Sequence, residues 1–208
     1  MEDLKIVPEY DSKNPLIKYL FFSRLKSALS LSDDFIIDEK ESNVADFGCG
    51  DCLLLKNIED KFKNIKTYGV DILPEILKYK KSLRADIKIA DLKNTGFDAD
   101  FFDAIFCLDT LEHFEDLSDP IGEISRVLRK DGILVVSLPT ENLVYKLGRF
   151  FLKGTFSSKT GPSSSPHFHN ASEIRKFLIN NSFIIKKKEK VTKIPFLTFF
   201  EIILFEKN

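Results

Sequence analysis

The chain has 208 residues, of which 43% are hydrophobic and 30% are charged. This composition is typical of a folded globular protein and argues against a disordered chain. Lysine and arginine (31) nearly balance aspartate and glutamate (32), which gives a formal net charge of -1. Proteins that follow a nucleic-acid backbone usually carry a basic excess. We therefore expect no nucleic-acid partner.

The cysteine content and the amino-terminal sequence indicate a cellular compartment. The chain has three cysteines, Cys49, Cys52 and Cys107, and an odd, small number predicts reduced thiols rather than a disulfide framework. Residues 1–10 do not show the basic and then apolar pattern of a secretory signal. No apolar run approaches the roughly 20 residues that a membrane-spanning helix requires. We expect a cytoplasmic protein without stable membrane insertion.

The first predicted element is a helix over residues 15–31. Ser12 or Asn14 can cap its amino terminus, and Pro15 falls in the first turn, where proline is tolerated. The apolar residues that follow recur at helical spacing. They are Leu16, Ile17, Leu20, Phe21, Leu25, Ala28 and Leu29.

Strands and helices then alternate, which predicts parallel strands joined by right-handed crossovers. After Pro139 this alternation stops, and the last two predicted strands are too close in sequence for a crossover helix, so we expect them to pair antiparallel. The Asp131-Gly132 pair is interpreted as the end of the helix that contains Pro120. The predicted strands cover residues 43–47, 66–70, 87–90, 103–108, 133–138, 183–190 and 197–205. The predicted helices cover 53–62, 141–153 and 171–181, with two more beginning at Pro74 and near Pro120, and 154–166 is a Ser/Gly/Pro-rich loop.

Glycines and acidic residues fall at the ends of these strands, where parallel α/β sheets bind ligands. Gly48 and Gly50 flank the turn after the first strand, and glycine there lets a ligand approach the backbone closely. Asp71 ends the second strand, 21 residues after Gly50 (71 − 50 = 21), and Asp91 follows the third. A carboxylate in the position of Asp71 can accept hydrogen bonds from ribose hydroxyls.

Other interpretations of this turn are weaker. A dinucleotide-binding fingerprint requires a third glycine at residue 53, which is Leu53, so a nicotinamide-dependent oxidoreductase is disfavoured. Cys49 and Cys52 form a C-x-x-C pair, but a glycine-rich turn explains this segment better than redox or zinc chemistry. The histidines offer too few ligands at a spacing typical of zinc sites. We therefore predict no metal site.

The motifs together resemble those of the class I methyltransferases, most closely the methyltransferase type 11 group and the ubiquinone-pathway O-methyltransferases. The resemblance covers residues 43–139 and includes a Leu-Glu-His phrase after the fourth strand. Cys52 departs from it, because the family usually has a third glycine there. The quoted segments are VADFGCGDC (44–52), GVD (69–71), ADL (90–92), FDAIFCLDTLEH (102–113) and RVLRKDGILVVSLP (126–139).

The resemblance implies an α/β Rossmann-like methyltransferase fold: a mostly parallel seven-stranded sheet with an antiparallel last strand and helices on both faces. It also implies S-adenosyl-L-methionine as cofactor, with S-adenosyl-L-homocysteine as product. Asp46, Gly48, Cys49 and Gly50 would hold the methionine end, Asp71 the ribose, and Asp91 and Leu92 the adenine, with Ile72 as a further apolar candidate for the adenine slot. Leu108 and Asp109 would form the floor near the sulfonium. Tyr10 is a candidate to close over the cofactor.

The acceptor side is predicted from the three histidines and the variable segment. If the acceptor is a hydroxyl, His113 is the candidate general base, because a histidine titrates near neutral pH. Tyr145, His167 and His169 are the candidate substrate contacts. The alternative for all three histidines is that they cap, pack or anchor loops.

We expect one methyltransferase domain over residues 1–208. Its parts are a helical cap (1–42), the cofactor-binding core (43–139), a lid or substrate insertion (140–170) and a carboxy-terminal helix and strand pair (171–208). The expected activity is O- or N-methylation of a small-molecule acceptor by a monomer or homodimer. Two alternatives stay open: a non-catalytic binding protein of the same fold, and an enzyme that acts on a lipid-like acceptor at a membrane surface.

Overall fold

A computed structural model describes residues 10, 12–36, 38, 41–140, 167–192 and 200–208. Within them, α-helices and β-strands alternate through the first two thirds of the chain. The helices are α1 (Pro15–Ser32), α2 (Leu53–Lys61), α3 (Ser118–Val127) and α4 (Ala171–Asn180), with 3-10 helices at Pro74–Tyr79 and Leu111–His113. The strands are β1 (Asn43–Phe47), β2 (Lys66–Asp71), β3 (Asp86–Ile89), β4 (Phe102–Leu108), β5 (Leu128–Pro139), β6 (Phe183–Lys190) and β7 (Phe200–Lys207).

The seven strands form one sheet in the order β3-β2-β1-β4-β5-β7-β6. β1 to β5 pair in parallel, and β7 runs antiparallel to both of its neighbours, β5 and β6. This confirms the predicted mostly parallel sheet with an antiparallel last strand. The strand order reverses between β1 and β4, and the carboxyl ends of strands at such a point form a ligand-binding crevice in α/β proteins.

Helices cover both faces of the sheet because successive strand residues point to opposite sides. Val44 and Phe106 pack in one apolar cluster with residues of α1 and α2. Ala45 and Ile105 pack in a second cluster with residues of α3 and α4. Each central strand is therefore buried on both faces, as its nearly continuous apolar sequence predicts.

The structure corrects the predicted end of α3. This helix ends at Val127, and Asp131 and Gly132 lie inside β5. Leu128 pairs with Phe102 and the next pairing joins Ile133 to Ala104, so the chain between them bulges out of the ladder. Asp131 has a positive φ of 59° there. The Asp-Gly pair is a turn signal, and the turn is a bulge at the start of the strand.

Two other predicted elements differ from the structure or lie outside the described residues. The helix predicted from Pro74 is a six-residue 3-10 helix, because Ile76 is buried whereas Leu77 is 44% exposed, which leaves little apolar surface to support a longer helix. The predicted helix 141–153 and loop 154–166 lie outside the described residues. No helix in the described part of the chain is both long and apolar enough to cross a membrane.

Cys52 stands at the amino terminus of α2 in a left-handed conformation, with φ 54° and ψ 19°. Its side chain is only 2% exposed and packs with Cys49, Leu55 and Ile76. A side chain in this conformation costs about 1–2 kcal/mol relative to glycine, because Cβ approaches the following carbonyl oxygen. The position therefore has the backbone that favours glycine, although the residue is cysteine.

We predict that Cys52→Gly is more stable than Cys52→Ala by about 1 kcal/mol in urea unfolding. Both variants remove the thiol, but only glycine removes the strain of Cβ at positive φ. The matched control is Cys107, a buried cysteine inside β4, where glycine should be the less stable substitution. If alanine is the more stable residue at both positions, strain at Cys52 is excluded.

Candidate active site

A cavity of about 720 Å³ opens at the carboxyl ends of β1, β2 and β4. All ten residues predicted to bind the cofactor line it, as do two of the predicted acceptor-side histidines, His113 and His167. Aromatic side chains from α1 and β7 and from two loops complete the wall: Phe21, Phe114, Phe168 and Phe200.

The glycine turn is tied to the neighbouring strand by its backbone. The N–H groups of Gly48 and Cys49 donate to the carbonyl oxygen of Val70 at 2.8 and 3.1 Å. Gly48 has a φ of 79°, and a Cβ built on it would lie 2.3 Å from Oγ1 of Thr110. A side chain is therefore excluded at Gly48 by both conformation and space.

The Asp71 carboxylate joins the end of β2 to the same turn. Its Oδ2 accepts from the Gly50 N–H at 2.9 Å, and its Oδ1 accepts from the Leu73 N–H at 3.0 Å. Asp71 remains half-buried at the cavity wall. Two backbone donors thus fix the orientation of the carboxylate. Its remaining lone pairs therefore have fixed directions and can accept further hydrogen bonds.

Asp46 lies deeper in the cavity and is only 3% exposed. Burial and, to a lesser extent, the nearby Asp71 carboxylate raise the pKa of this carboxyl to about 8, although the Arg24 guanidinium acts in the opposite direction. An acid with so high a pKa is mostly protonated at neutral pH while the cavity contains no cationic ligand.

Arg24 attaches α1 to the sheet edge. It forms an ion pair with Asp109, and its Nη2 donates to the Tyr10 hydroxyl at 2.7 Å. The guanidinium carbon lies 4.7 Å from the ring centroid of Phe21 and 5.4 Å from that of Phe200. Aromatic faces attract a guanidinium. Tyr10 thus lies at the cavity, and its hydroxyl accepts a hydrogen bond from Arg24.

Asp109, the partner of Arg24, is held from the opposite side by β5. Its N–H donates to Ser137 Oγ at 2.9 Å, and the Ser137 hydroxyl donates to its Oδ1. Asp109 adopts a positive φ of 50°, which turns the chain sharply after β4. The following Thr110 donates from its hydroxyl to the Leu108 carbonyl at 3.0 Å.

The proposed adenine end is the more open part of the cavity. Ile72 is 64% exposed, whereas Leu92 is buried. Asp91 is exposed, and its Oδ1 accepts from the Lys93 N–H at 2.9 Å in a local turn. That turn is fixed to β2 by a hydrogen bond from the Ala90 N–H to the Asp71 carbonyl at 3.0 Å.

At the other end of the cavity, Glu112, His113 and His167 form a cluster that we call the Glu-His-His cluster. Their ligand-type side-chain atoms all lie within 4.8 Å of one another. The two imidazole rings pack edge to face with centroids 5.0 Å apart. Glu112 is 1% exposed, and burial raises the pKa of its carboxyl to about 7. Sequence analysis did not select Glu112, although it stands in the Leu-Glu-His phrase.

The remaining predicted substrate contacts are not in the cavity wall that the structure describes. The His169 Nε2 lies 3.1 Å from the Glu115 carbonyl oxygen, and its Nδ1 lies 3.5 Å from a carboxylate oxygen of Glu173. His169 therefore anchors the loop before α4, which was the alternative interpretation. Tyr145 lies outside the described residues.

Sequence analysis also missed Arg24, although one signal was available. Leu20, Arg24 and Ala28 recur every four residues on α1, so the arginine lies in the row of residues that the helix buries. A cation in such a row is rare unless it has a partner. The partner, Asp109, is 85 residues away along the chain (109 − 24 = 85), and only the fold brings the two together.

Comparison with known families agrees with this geometry. Residues 45–136 match the model of a methyltransferase domain family. Together with the relatives described next, this match supports a class I S-adenosylmethionine-dependent methyltransferase. The matched segment of this methyltransferase begins in β1 and ends in β5, so it contains the glycine turn, Asp71 and the Glu112-His113 pair.

Two curated methyltransferases align with the chain. It is 25% identical over 144 residues to a malonyl-[acyl-carrier protein] O-methyltransferase of Acetivibrio thermocellus, an alignment that covers 66% of this chain but only 50% of that protein. It is 24% identical over 204 residues to a demethylmenaquinone methyltransferase of Chlorobaculum tepidum, covering 89% and 83% of the two chains.

A solved structure confirms the fold. The N-methyltransferase NodS from Bradyrhizobium japonicum WM9, in complex with S-adenosyl-L-homocysteine, superposes with a TM-score of 0.70 at 15% identity. The superposition covers 99% of this methyltransferase and 94% of NodS. At this identity, the likeness concerns the architecture of the sheet and its helices.

The high pKa of Asp46 predicts a pH-dependent stability difference. An unfolded Asp ionises near pH 4, but folded Asp46 keeps its proton until about pH 8. Folding then takes up a proton between these values, so the contribution of Asp46 to stability is complete below pH 4 and is lost as pH rises. Asp46→Asn cannot titrate. As pH rises from 4.5 to 7.5, the wild type should therefore lose about 1.4 kcal/mol of unfolding free energy per pH unit relative to this variant.

Urea unfolding of the ligand-free protein at several pH values measures this difference. Asp60→Asn, which changes an exposed carboxylate on α2, is the control. Its free energy of unfolding should depend on pH in the same way as that of the wild type. Parallel pH curves for Asp46→Asn and the wild type would contradict the account.

Proposed function

We propose that the protein transfers a methyl group from S-adenosylmethionine to an oxygen of a small, partly apolar acceptor. The observation that carries this proposal is the arrangement of one cavity: Asp46 and Asp71 beside the glycine turn at one end, and the Glu-His-His cluster at the other. The names of the two curated relatives support methyl transfer, and one of them names oxygen as the site.

The charge of the cavity favours this cofactor over a dinucleotide. Asp46 and Asp71 flank the turn. The Asp71 carboxylate disfavours a pyrophosphate but favours the cationic amino and sulfonium groups of S-adenosylmethionine, and such a cation beside Asp46 lowers the pKa of Asp46 and so favours its charged form. The volume of about 720 Å³ lies in the range of small-molecule and cofactor sites. Gly48, where a Cβ would clash with Thr110, keeps the turn compact beside the ligand space. The residues present therefore fit the cofactor.

The roles proposed for the cofactor residues follow from their places in the cavity. Asp71, oriented by Gly50 and Leu73, receives the ribose hydroxyls. Leu92 and Ile72 flank the adenine, with Asp91 beside them. Asp46 and the backbone of the glycine turn hold the methionine end. Leu108 and Asp109, fixed by Ser137 and Arg24, form the floor between the two ends of the cavity.

The protein's contribution to the reaction is alignment and removal of one proton. Bound S-adenosylmethionine supplies a methyl group already activated by its sulfonium. The chain holds the acceptor against that methyl group, and correct positioning alone supplies a large part of the rate. We assign His113 as the group that accepts the acceptor's proton and His167 as an acceptor contact. The four phenylalanines of the wall contact the apolar part of the acceptor.

The test is a turnover measurement with isotopically labelled S-adenosylmethionine and a panel of phenols, catechols and carboxylic acids. S-Adenosylhomocysteine and labelled product are quantified by mass spectrometry. For the acceptor found, His113→Gln should lower kcat by about 10²–10⁴-fold, the usual size of a general-base contribution. The affinity for S-adenosylhomocysteine should stay within about twofold, because the variant changes the acceptor end.

Asp60→Asn is the control, since it changes an exposed polar side chain of α2 outside the cavity wall. It should retain the wild-type kcat. Equal turnover by His113→Gln would remove His113 from the mechanism. Labelled transfer to amines but not to any oxygen acceptor would overturn the assignment of O-methylation.

A further inference from the structure

The Glu-His-His cluster has the composition of a metal site. It combines one carboxylate and two imidazoles, the donor set that binds zinc and other divalent transition metals in catalytic sites. Such ions lie about 2.0–2.2 Å from each ligand atom, so ligands of one ion are roughly 3–4 Å apart. The separations of up to 4.8 Å between the ligand atoms of Glu112, His113 and His167 close to that range with small side-chain rotations.

The backbone holds the two halves of the cluster together. Glu112 and His113 belong to the 3-10 helix after β4, whereas His167 lies 54 residues further along (167 − 113 = 54). The Phe168 N–H donates to the Glu112 carbonyl at 2.8 Å, and the His169 ring contacts the Glu115 carbonyl at 3.1 Å. These two contacts on either side of the cluster place the three side chains together independently of any ligand.

Glu112 provides a second, independent observation. Its side chain is almost fully buried, and its Oε2 has no hydrogen-bond partner among the residues that the structure describes. A buried carboxylate oxygen without a partner is costly, and buried charges are normally paired or coordinate metals. The oxygen belongs to a residue of the cavity wall, where an ion would satisfy it.

We propose that Glu112, His113 and His167 bind one divalent transition-metal ion in the acceptor end of the cavity. Three protein ligands leave further coordination positions open to the cavity. An acceptor hydroxyl or carboxyl oxygen coordinated there would lose its proton more easily, because a bound cation stabilises the oxyanion. This role rests on the proposed function. With the ion bound, His113 is a metal ligand and no longer the proton acceptor proposed above, and the acceptor's proton passes to solvent.

This inference differs from the expectation of no metal site. The sequence offered three histidines and a C-x-x-C pair at spacings that are not typical of zinc sites. The third ligand is the glutamate next to His113, and the distant His167 joins it only in the folded chain. Cys49 lies in the glycine turn and Cys52 at the start of α2; the two pack with Leu55 and Ile76 and are not part of the cluster.

The experiment titrates untagged, chelator-treated full-length protein with Co²⁺ and with Zn²⁺ in a calorimeter, while the visible absorption of Co²⁺ reports its coordination. We expect one ion per chain, with Mg²⁺ bound at least 100-fold more weakly. Glu112→Gln, His113→Gln and His167→Gln should each weaken Co²⁺ binding at least 100-fold. Asp60→Asn, which changes an exposed carboxylate of α2 outside the cavity wall, should bind like the wild type.

The substitutions lie on two separate segments, so a folding defect in one segment cannot explain weaker binding by all three variants. Thermal unfolding checks that each variant is folded. Undiminished Co²⁺ binding by folded His113→Gln and His167→Gln would overturn the site, as would less than 0.1 ion per chain in the wild type. S-Adenosylhomocysteine binding by the chelator-treated protein is measured in parallel. If the protein binds the cofactor but no metal, this inference alone is overturned. If it binds metal but not the cofactor, the proposed methyl transfer from S-adenosylmethionine is overturned.

Discussion

The Arg24–Asp109 ion pair is the contact on which the rest of the site depends. Parallel strands bring the carboxyl groups of Asp46, Asp71 and Asp109 to one edge of the sheet, where negative charges on all three would repel one another. Arg24 is the buried cation that α1 brings to this edge, and the rings of Phe21 and Phe200 cover it. The first helix is thereby fixed over the sheet, and the cavity acquires its closed side.

This arrangement leaves part of the acidic charge uncompensated. Arg24 is paired with Asp109, while the pKa of Asp46 is raised to about 8 by burial and by Asp71. A cationic ligand beside Asp46 would lower that pKa and gain binding energy from the same effect. At the acceptor end, Glu112 is buried as well, and its Oε2 has no hydrogen-bond partner among the described residues. Both ends of the cavity therefore favour a positively charged ligand. This is a sulfonium cofactor at one end and, by our inference, a metal ion at the other.

The fold and the cofactor end were predictable because they depend on local sequence. Strand ends are visible in the hydrophobic pattern, and in a parallel sheet they mark the ligand edge, so Gly48, Gly50 and Asp71 could be placed together without coordinates. The Asp131-Gly132 pair was interpreted wrongly because the same turn signal ends a helix or opens a bulge. Only the pairing of Leu128 with Phe102 distinguishes these cases.

The acceptor end was less predictable because its residues meet through tertiary structure. Arg24 lies in an apolar row of α1, and Glu112 stands beside the more conspicuous His113. His167 and His169 are two residues apart, yet one lines the cavity and the other anchors a loop. Nothing local separates these two histidines. The difference comes from the docking of the segment that contains Phe168 on the Glu112 carbonyl.

The central claim is that the acidic glycine-turn end of the cavity binds the adenosyl cofactor through Asp71. Calorimetric titration with S-adenosylhomocysteine, of wild-type protein and of Asp71→Asn, tests it most directly. Hydrogen bonds to a charged group contribute about 1.5–3 kcal/mol each, so the variant should bind about 10–100-fold more weakly. Asp86→Asn, at the amino end of β3 and outside the cavity wall, should bind like the wild type. Equal affinity in the wild type and Asp71→Asn, or tighter binding of NAD than of S-adenosylhomocysteine, would contradict the account.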